Sequence, residues 1–150
     1  MFAALRESAD FEGADLSDVN ACAVDGGNAL HYAVRDNDLP AARALIEAGV
    51  DINKAGDLGY TPLHVASEEG NIAMVKLLVE KGANLFALSE GYPPFTVARL
   101  AKQDHVCDLL GPLMKQARSR DPKVWIRARI VQLQRELAEL KRKLNSRATS

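Results

Sequence analysis

Apolar side chains recur along most of the chain at the spacing of three and four residues that is typical of an α-helix. The clearest case is the segment NIAMVKLLVEKG, which starts at Asn71 and ends at Gly82. Its apolar stripe consists of Ile72, Val75, Leu78 and Val79. Asn71 can cap the helix, and Gly82 can end it because glycine tolerates the left-handed conformation. The pattern therefore predicts a helix with one buried face between these two residues.

A shorter helix is predicted directly before it, in the segment TPLHVASEEG that starts at Thr61. The Thr61 hydroxyl can cap this helix, and Pro62 suits the first helical position, where no amide hydrogen is needed. Gly70 permits the tight turn between the two helices. A turn-rich stretch follows Gly82, so the unit is helix, turn, helix and loop. One such pair cannot bury its own apolar stripe, and neighbouring units must therefore stack.

The chain contains this unit three times. Residues 28–53 align with residues 61–86 at a shift of 33 positions, and a weaker third copy follows at a shift of 32. Matches between the first two copies are Leu30 with Leu63, His31 with His64, Glu47 with Glu80, and Gly49 with Gly82. The third copy has Pro93 and Thr96 in place of the capping threonine and the histidine. We therefore expect its first helix to lack a side-chain cap.

A 33-residue unit with Thr-Pro-Leu-His at residues 61–64 resembles the ankyrin repeat family. The resemblance rests on GYTPLHVASEEGNIAMVKLLVEKGANL and on GGNALHYAVRDNDLPAARALIEAGVDIN; it covers residues 20–111 well and residues 1–19 poorly. It implies an all-α fold, an ankyrin repeat solenoid of stacked helix pairs whose β-hairpin-like loops project at right angles. It also implies that the histidine at the His64 position hydrogen-bonds the threonine and steadies the start of the helix.

Three segments are expected. Residues 1–19 would form an N-terminal capping helix and a degenerate repeat, with Phe2, Leu5 and Ala9 on one helix face. Residues 20–114 hold the ankyrin repeats. Residues 115–150 form a long basic C-terminal helix, which Asp121 can cap. Residues 113–120 either continue the last repeat helix or act as a linker.

The C-terminal segment carries a heptad seam, with apolar residues spaced alternately by four and three. The seam comprises Ile126, Ile130, Leu133, Leu137, Leu140 and Leu144. The helix can cover the last repeat, or it can pair with a second chain or a partner as a coiled coil. In a mixed alternative, the Trp125 end docks on the repeats and the leucines pair with a second copy. An exposed helix that self-associates or binds a partner is favoured over a pure cap, and self-association through this helix would give a homo-oligomer.

The charge of the chain is divided unevenly. Residues 1–114 carry 8 basic and 17 acidic side chains, whereas residues 115–150 carry 11 basic and 3 acidic ones. An acidic repeat domain favours a protein partner with a basic patch. The basic residues of the tail are mixed into the heptads, and Trp125 is its only aromatic residue, so a nucleic-acid partner is disfavoured.

No pattern along the chain indicates catalysis. His31 and His64 occupy the same repeat position, which favours the structural role that the resemblance implies. No nucleophile with a base, phosphate-binding loop or set of metal ligands is visible. The sequence therefore predicts a protein that is not an enzyme and that holds no metal and no cofactor.

Candidate binding residues follow from the resemblance, because ankyrin proteins meet partners through the loop tips and the concave face of the first helices. The corresponding residues here are Asp25, Arg35, Asp36, Asp57, Leu58, Tyr60, Glu68, Glu69, Glu90 and Tyr92. Tyr60 and Tyr92 repeat at one loop position, and tyrosine is a frequent interface anchor. Leu58 is an apolar residue at a tip, where a solvent-exposed position is expected.

The predicted function is a non-enzymatic protein–protein interaction module or adaptor that binds its partner through the acidic tips and concave face. An inhibitor or immunity-type protein that masks a basic surface is one concrete form. The alternative is a regulator that binds nucleic acid or another acidic partner through the basic helix. Cys22 and Cys107 share no motif, no signal peptide starts the chain, and no apolar run reaches membrane length, so a cytoplasmic protein is expected.

Overall fold

The computed structural model describes residues 18–148, with the side chains of residues 18–146. This part of the chain contains helices and no named strand. The helices are α1 (Ala29–Arg35), α2 (Leu39–Glu47), α3 (Pro62–Glu68), α4 (Ile72–Glu80), α5 (Pro94–Leu100), α6 (Asp104–Arg120) and α7 (Val124–Ala148). A short 3-10 turn spans Asp57–Gly59. The predicted capping helix, with Phe2, Leu5 and Ala9, lies outside the described residues.

The helices form three stacked pairs, which confirms the predicted all-α solenoid. Each short first helix packs on the longer helix that follows it, and α3 lies between α1 and α5. The second helices form a parallel layer in which α4 packs against α2 and α6. Stacking buries the apolar stripe of each pair against its neighbour. The largest fully buried apolar side chains are Leu30, Leu45, Leu63, Met74, Leu77, Leu78 and Leu110.

The local signals at the helix ends act as predicted in the second repeat. The Thr61 side chain accepts a hydrogen bond from the backbone of His64, whose ring in turn accepts one from the Thr61 amide. Asn71 caps α4 by accepting a bond of 3.0 Å from the Met74 amide. Gly70 adopts a φ of +73°, as the turn between the two helices requires. The third repeat starts with Pro93, which makes no side-chain cap, as expected.

The loops between the pairs are hairpin-like, without extended strands among the described residues. One antiparallel bridge joins Cys22 to Asn28, and another joins Ser89 to Tyr92. The tips of the second and third loops turn tightly, because Leu58 and Glu90 both adopt positive φ angles of 52° and 49°. A glycine with positive φ follows each of them. Two successive left-handed residues are typical of the tightest hairpin turns.

Helices α6 and α7 extend beyond the repeat pattern. Helix α6 continues through Pro112 to Arg120, so residues 113–120 are helical rather than a linker. It therefore crosses the expected domain boundary at residue 114. The chain then turns at Asp121, whose carboxylate accepts a bond of 3.0 Å from the Lys123 amide, and α7 begins at Val124.

One face of α7 packs beneath the loop that follows α4. Ala128 is buried in a small apolar cluster with Phe86 and Leu88. Trp125 meets the Phe86 ring edge-on, with 6.3 Å between ring centroids. The Arg135 guanidinium donates to the Leu88 carbonyl oxygen over 3.4 Å. These contacts agree with the docking of the Trp125 end that the mixed alternative describes.

Candidate protein-binding surface

The loop tips and the first helices enclose two adjoining grooves. The first groove, with a volume of about 280 Å³, includes six predicted binding residues: Asp25, Arg35, Asp57, Leu58, Tyr60 and Glu90. The second groove, of about 360 Å³, is lined by Tyr60, Glu68, Ser89, Glu90, Tyr92, Val97, Leu100 and Ala101. Tyr60, Ser89 and Glu90 belong to both grooves, so the two form one continuous surface.

The structure thus brings eight of the ten predicted binding residues onto one surface. The remaining two, Asp36 and Glu69, are exposed at the C-terminal ends of α1 and α3 and line neither groove. These two carboxylates add negative charge beside the grooves. We name the continuous surface formed by the two grooves the concave groove.

The repeated histidines hold the walls of the concave groove in place. The Nε2 atom of His31 lies 3.1 Å from the carbonyl oxygen of Tyr60, and that of His64 lies 3.1 Å from the carbonyl oxygen of Tyr92. A carbonyl oxygen can only accept, so each ring donates from Nε2. Each histidine therefore ties its own helix start to the base of the next loop, which fixes where the following tyrosine stands.

Burial keeps both rings neutral. It lowers the pKa of His64 from 6.5 to about 4 and also lowers the pKa of His31, against the raising effect of their hydrogen bonds to backbone groups. A neutral ring with its proton on Nε2 leaves Nδ1 free to accept the Thr61 amide hydrogen at 3.1 Å. The geometry suits a structural link and leaves neither nitrogen of His64 available to a substrate.

The two tyrosines of the tips differ, although they are equivalent in the repeat. The Tyr60 hydroxyl donates to a Glu68 carboxylate oxygen over 2.8 Å, and its ring lies 5.2 Å from that of His64. Burial, together with the bond to Glu68, raises the pKa of Tyr60 far above its ordinary value. Tyr92 is 49% exposed. The side chain of Tyr60 is therefore held in place as part of the groove wall, whereas Tyr92 is the more accessible aromatic residue of the concave groove.

The far end of the first groove contains a residue that the sequence did not single out. The Tyr32 hydroxyl donates to an Asp25 carboxylate oxygen over 3.1 Å, and the Arg35 guanidinium lies 4.5 Å from the centre of the Tyr32 ring. Asp25 also accepts a bond of 2.8 Å from the Gly27 amide. From helical spacing, Tyr32 is expected to be a core residue of α1. Its role in the groove was therefore missed from the sequence. The presence of a polar aromatic residue at that position was the available signal.

Leu58 is the most prominent apolar residue of the second tip. It is 57% exposed and holds a left-handed backbone conformation, which is costly for a side chain with a β-carbon. Its carbonyl oxygen accepts a bond of 3.0 Å from the Ser89 hydroxyl on the next loop. Sparsely populated backbone conformations of this kind cluster at functional sites, although here the tight turn, shared with Glu90, also requires it.

The rear of the same tips faces α7. A cleft there is lined by Leu58, Glu90, Arg129, Gln132, Arg135, Glu136 and Glu139. The Arg135 guanidinium lies so close to Gly59 that a β-carbon at that glycine would overlap it. Gln132 is buried and donates to Glu136 over 2.7 Å. The tips are therefore supported from behind by α7, a contact that no local sequence pattern indicates.

The predicted self-association residues all face away from the repeats. Their exposed fractions range from 46% for Leu133 to 68% for Leu144. They lie on the opposite side of α7 from the docked residues Trp125, Ala128, Gln132 and Arg135, which recur at helical spacing. The structure thus leaves the whole heptad seam uncovered within the described chain.

The described residues contain no group of three or more His, Cys, Asp or Glu side chains placed to hold a metal ion. Cys22 and Cys107 are both free thiols. None of the helices from residue 18 to residue 148 has the length and apolar character needed to cross a membrane.

Comparison with protein families gives one match. The family model described as ankyrin repeats, in three copies, matches residues 2–89, which is more than half of the chain. The match includes most of the N-terminal segment and ends before the third unit that the sequence repeat identifies.

Relatives resemble this chain over part of its length. An ankyrin repeat protein of Neurospora crassa, nuc-2, is 35% identical over 82 residues, which are 54% of this chain and 8% of that protein. The mouse RelA-associated inhibitor is 35% identical over 79 residues, 51% of this chain and 10% of the inhibitor. Human protein phosphatase 1 regulatory subunit 27 is 34% identical over 62 residues, 41% of this chain and 40% of the subunit. The chain thus spans less than half of each relative.

Proposed function

The chain belongs to the ankyrin repeat family, whose repeats are general protein–protein interaction modules, and from this premise we propose that it binds a partner protein through the concave groove. The partner presents a basic patch with an apolar centre. The groove residues act by binding and take no part in a chemical reaction. An inhibitor that covers a basic surface is the concrete form we favour, and two relatives are named as an inhibitor and as a regulatory subunit.

The observation that carries this proposal is the convergence of eight predicted binding residues, from three loops and the ends of two helices, on one continuous groove. Exposed Tyr92 and Leu58 supply apolar anchors, as interface cores generally require. Asp57, Glu68 and Glu90 surround them with negative charge. Complementary charge speeds the encounter with a basic partner and disfavours acidic proteins.

A matched pair of charge reversals tests the groove. Glu90 lies in the groove and Glu80 ends α4 in the layer of second helices; both are exposed. The partner is first captured by affinity purification, identified by mass spectrometry and purified, and its affinity is then measured by calorimetry. We expect the combined Glu90→Lys and Tyr92→Ala variant to bind at least about tenfold more weakly, because it loses an anchor and a favourable charge.

The Glu80→Lys control changes the net charge as Glu90→Lys does, and it should bind within about twofold of the unchanged protein, since a distant exposed charge contributes little. Melting curves verify that both variants are folded. Equal weakening by the two variants would indicate a general charge effect. No weakening by the groove variant would exclude the concave groove as the binding surface.

We further propose that the uncovered seam of α7 pairs with a second copy of the chain. Six large aliphatic side chains in heptad spacing are exposed along one face. A continuous apolar face of this kind is usually covered in solution. Leu133→Asp with Leu140→Asp should give a monomer by sedimentation while leaving the melting of the repeats unchanged. A wild-type chain that remains monomeric at all concentrations would contradict the pairing.

A second candidate function is binding of an acidic partner, including nucleic acid, by the tail. Lys141, Arg142 and Lys143 are exposed beyond the part of α7 that contacts the repeats. Fluorescence anisotropy with a labelled duplex would detect such binding, which should weaken as salt rises and disappear when residues 121–150 are removed. Absence of binding at low salt would leave the concave groove as the functional surface.

A further inference from the structure

We propose that two copies pair through α7 in parallel, with Glu136 of each helix beside Lys141 of the other. This inference rests on the proposed self-association and adds its direction and register. It commits the exposed seam to a second copy of the chain as its occupant.

The first argument is the division of α7 into two opposite faces. In heptad terms, Ile130, Leu137 and Leu144 share one core position, and Ile126, Leu133 and Leu140 share the other. The opposite face is already covered, because Ala128 packs on Phe86 and Leu88 of the repeat domain. A second helix can therefore approach only along the seam. The two repeat domains then lie on the outer sides of the pair, where they do not obstruct it.

The second argument is the charge at the edges of the seam. The flanking residues are Arg127, Arg129, Gln134, Glu136, Lys141 and Lys143, all of them exposed. In a parallel pair, each flanking residue of one edge meets the residue five positions later on the other helix. Glu136 then meets Lys141 twice, once on each side, and Arg129 meets the neutral Gln134. None of these edge contacts joins two like charges, although each tail as a whole is basic.

An antiparallel pair gives the opposite result. The only arrangement that aligns all six seam residues places residue 126 beside 144, 130 beside 140, and 133 beside 137. Arg127 then faces Lys141, Arg129 faces Lys143, and Glu136 faces its own copy. Every charged contact at the edges is repulsive, so edge charges select the parallel pair.

Among the described residues, Glu136 has no strong competing partner within its own chain. Its carboxylate accepts from Gln132 over 2.7 Å, and Arg129 approaches it only to 4.0 Å while both side chains are about half exposed. An exposed pair at that distance contributes little. Its remaining acceptor capacity can serve Lys141 of the second copy.

Disulfide trapping tests the direction. The starting variant lacks Cys22 and Cys107. In it, Lys123→Cys places one thiol in each copy seven residues before Ile130, just N-terminal to the first seam residue. Mild oxidation should join two parallel copies at this site, while Lys115→Cys on α6 serves as the control for random collision. Cross-linking between Ile126→Cys and Leu144→Cys copies, without cross-linking at residue 123, would overturn the parallel arrangement.

Charge exchange tests the register. Lys141→Glu should weaken dimerisation at least about fivefold in the parallel pair, because it brings a second carboxylate beside Glu136, and Glu136→Lys should weaken it similarly. The double exchange has the net charge of the unchanged chain and should restore the affinity. An antiparallel pair would instead be tightened by Lys141→Glu, because the new carboxylate would then face Arg127.

Sedimentation of the cysteine-free chain separates the two levels of the proposal. A dimer that fails the trapping and exchange tests would overturn the parallel register and leave self-association standing. A monomer at every concentration would overturn self-association, and the register with it.

Discussion

His64 carries out two structural tasks with one neutral ring. Its Nδ1 atom accepts from the start of its own helix, and its Nε2 atom donates to the carbonyl oxygen of Tyr92 on the next loop. The first task was expected from the resemblance of residues 61–64 to the ankyrin repeat, and its two partners lie within one helical turn. The second could not, because it depends on how the next repeat stacks.

The neutral state of His64 makes the stability of the fold sensitive to acid. Because the folded ring has a pKa of about 4 and the unfolded ring one near 6.5, the unfolded chain binds a proton first as pH falls. The free energy of unfolding should therefore decline between pH 6.5 and pH 4, by at most ~3 kcal/mol from this ring. Denaturant titrations at several pH values measure the decline.

Two variants assign this decline to the buried ring. His64→Gln should be less stable at pH 7 and should lose less stability on acidification. His105→Gln, a change at an exposed histidine, should follow the unchanged chain. If His64→Gln lost as much stability as the unchanged chain on acidification, the His64 ring would not be the source, and the buried His31 ring or the carboxylates would have to account for the decline.

The difference between Tyr60 and Tyr92 shows where prediction from the sequence ended. Both residues stand at one repeat position, and the sequence therefore predicted one role for both. The structure separates them because Glu68 is within reach of the Tyr60 hydroxyl, whereas Tyr92 is exposed. The position corresponding to Glu68 in the third repeat is Leu100, which cannot accept a hydrogen bond.

At the scale of elements, α7 has two faces that can pack against another surface. One face packs against the repeats, and the other, the heptad seam, is uncovered within the described chain. Its seam is visible in the sequence as six aliphatic residues, whereas its docked face consists of Trp125, Ala128, Gln132 and Arg135. Apart from Trp125, these residues are small or polar and give almost no hydrophobic signal. The sequence therefore predicted the exposed face in detail and left the docked face among several alternatives.

A single carboxylate at Ala128 should detach α7 from the loops. Ala128→Asp places an unpaired charge against Phe86 and Leu88, which should weaken the docking by about 1–3 kcal/mol. Trp125 is the only tryptophan of the chain and contacts Phe86, so its fluorescence should shift to the red on detachment.

Ala138→Asp is the matched control, since the same substitution falls on an exposed position of the same helix. It should leave both the fluorescence and the melting curve nearly unchanged. Equal spectra for the two variants would mean that α7 does not dock through Ala128 in solution.

On the scale of the whole molecule, the repeats and the tail carry opposite charge. Residues 1–114 hold nine more acidic than basic side chains, and residues 115–150 hold eight more basic than acidic ones. The fold places part of the basic helix behind the acidic tips, where Arg135 contacts the loop of the second repeat. Attraction between unlike segments thus supports the intramolecular contact, while pairing of two tails brings like charges together.

These two kinds of contact should respond to salt in opposite directions. Raising the ionic strength shortens the distance over which charges act, from about 30 Å at 0.01 M to about 3 Å at 1 M. Repulsion between two basic tails then fades, while the apolar seam is not weakened, so the dimer should tighten as sodium chloride rises. Binding of a basic partner to the acidic concave groove should weaken over the same range, because its attraction is screened.

Sedimentation measures the first effect and calorimetry with the purified partner measures the second. The Leu133→Asp and Leu140→Asp chain, which cannot form the seam, should retain the salt response of partner binding alone. A dimer that weakens with salt would show that attraction between unlike charges, either tail to repeat domain or Glu136 to Lys141 at the edges of the seam, outweighs the repulsion between the two tails.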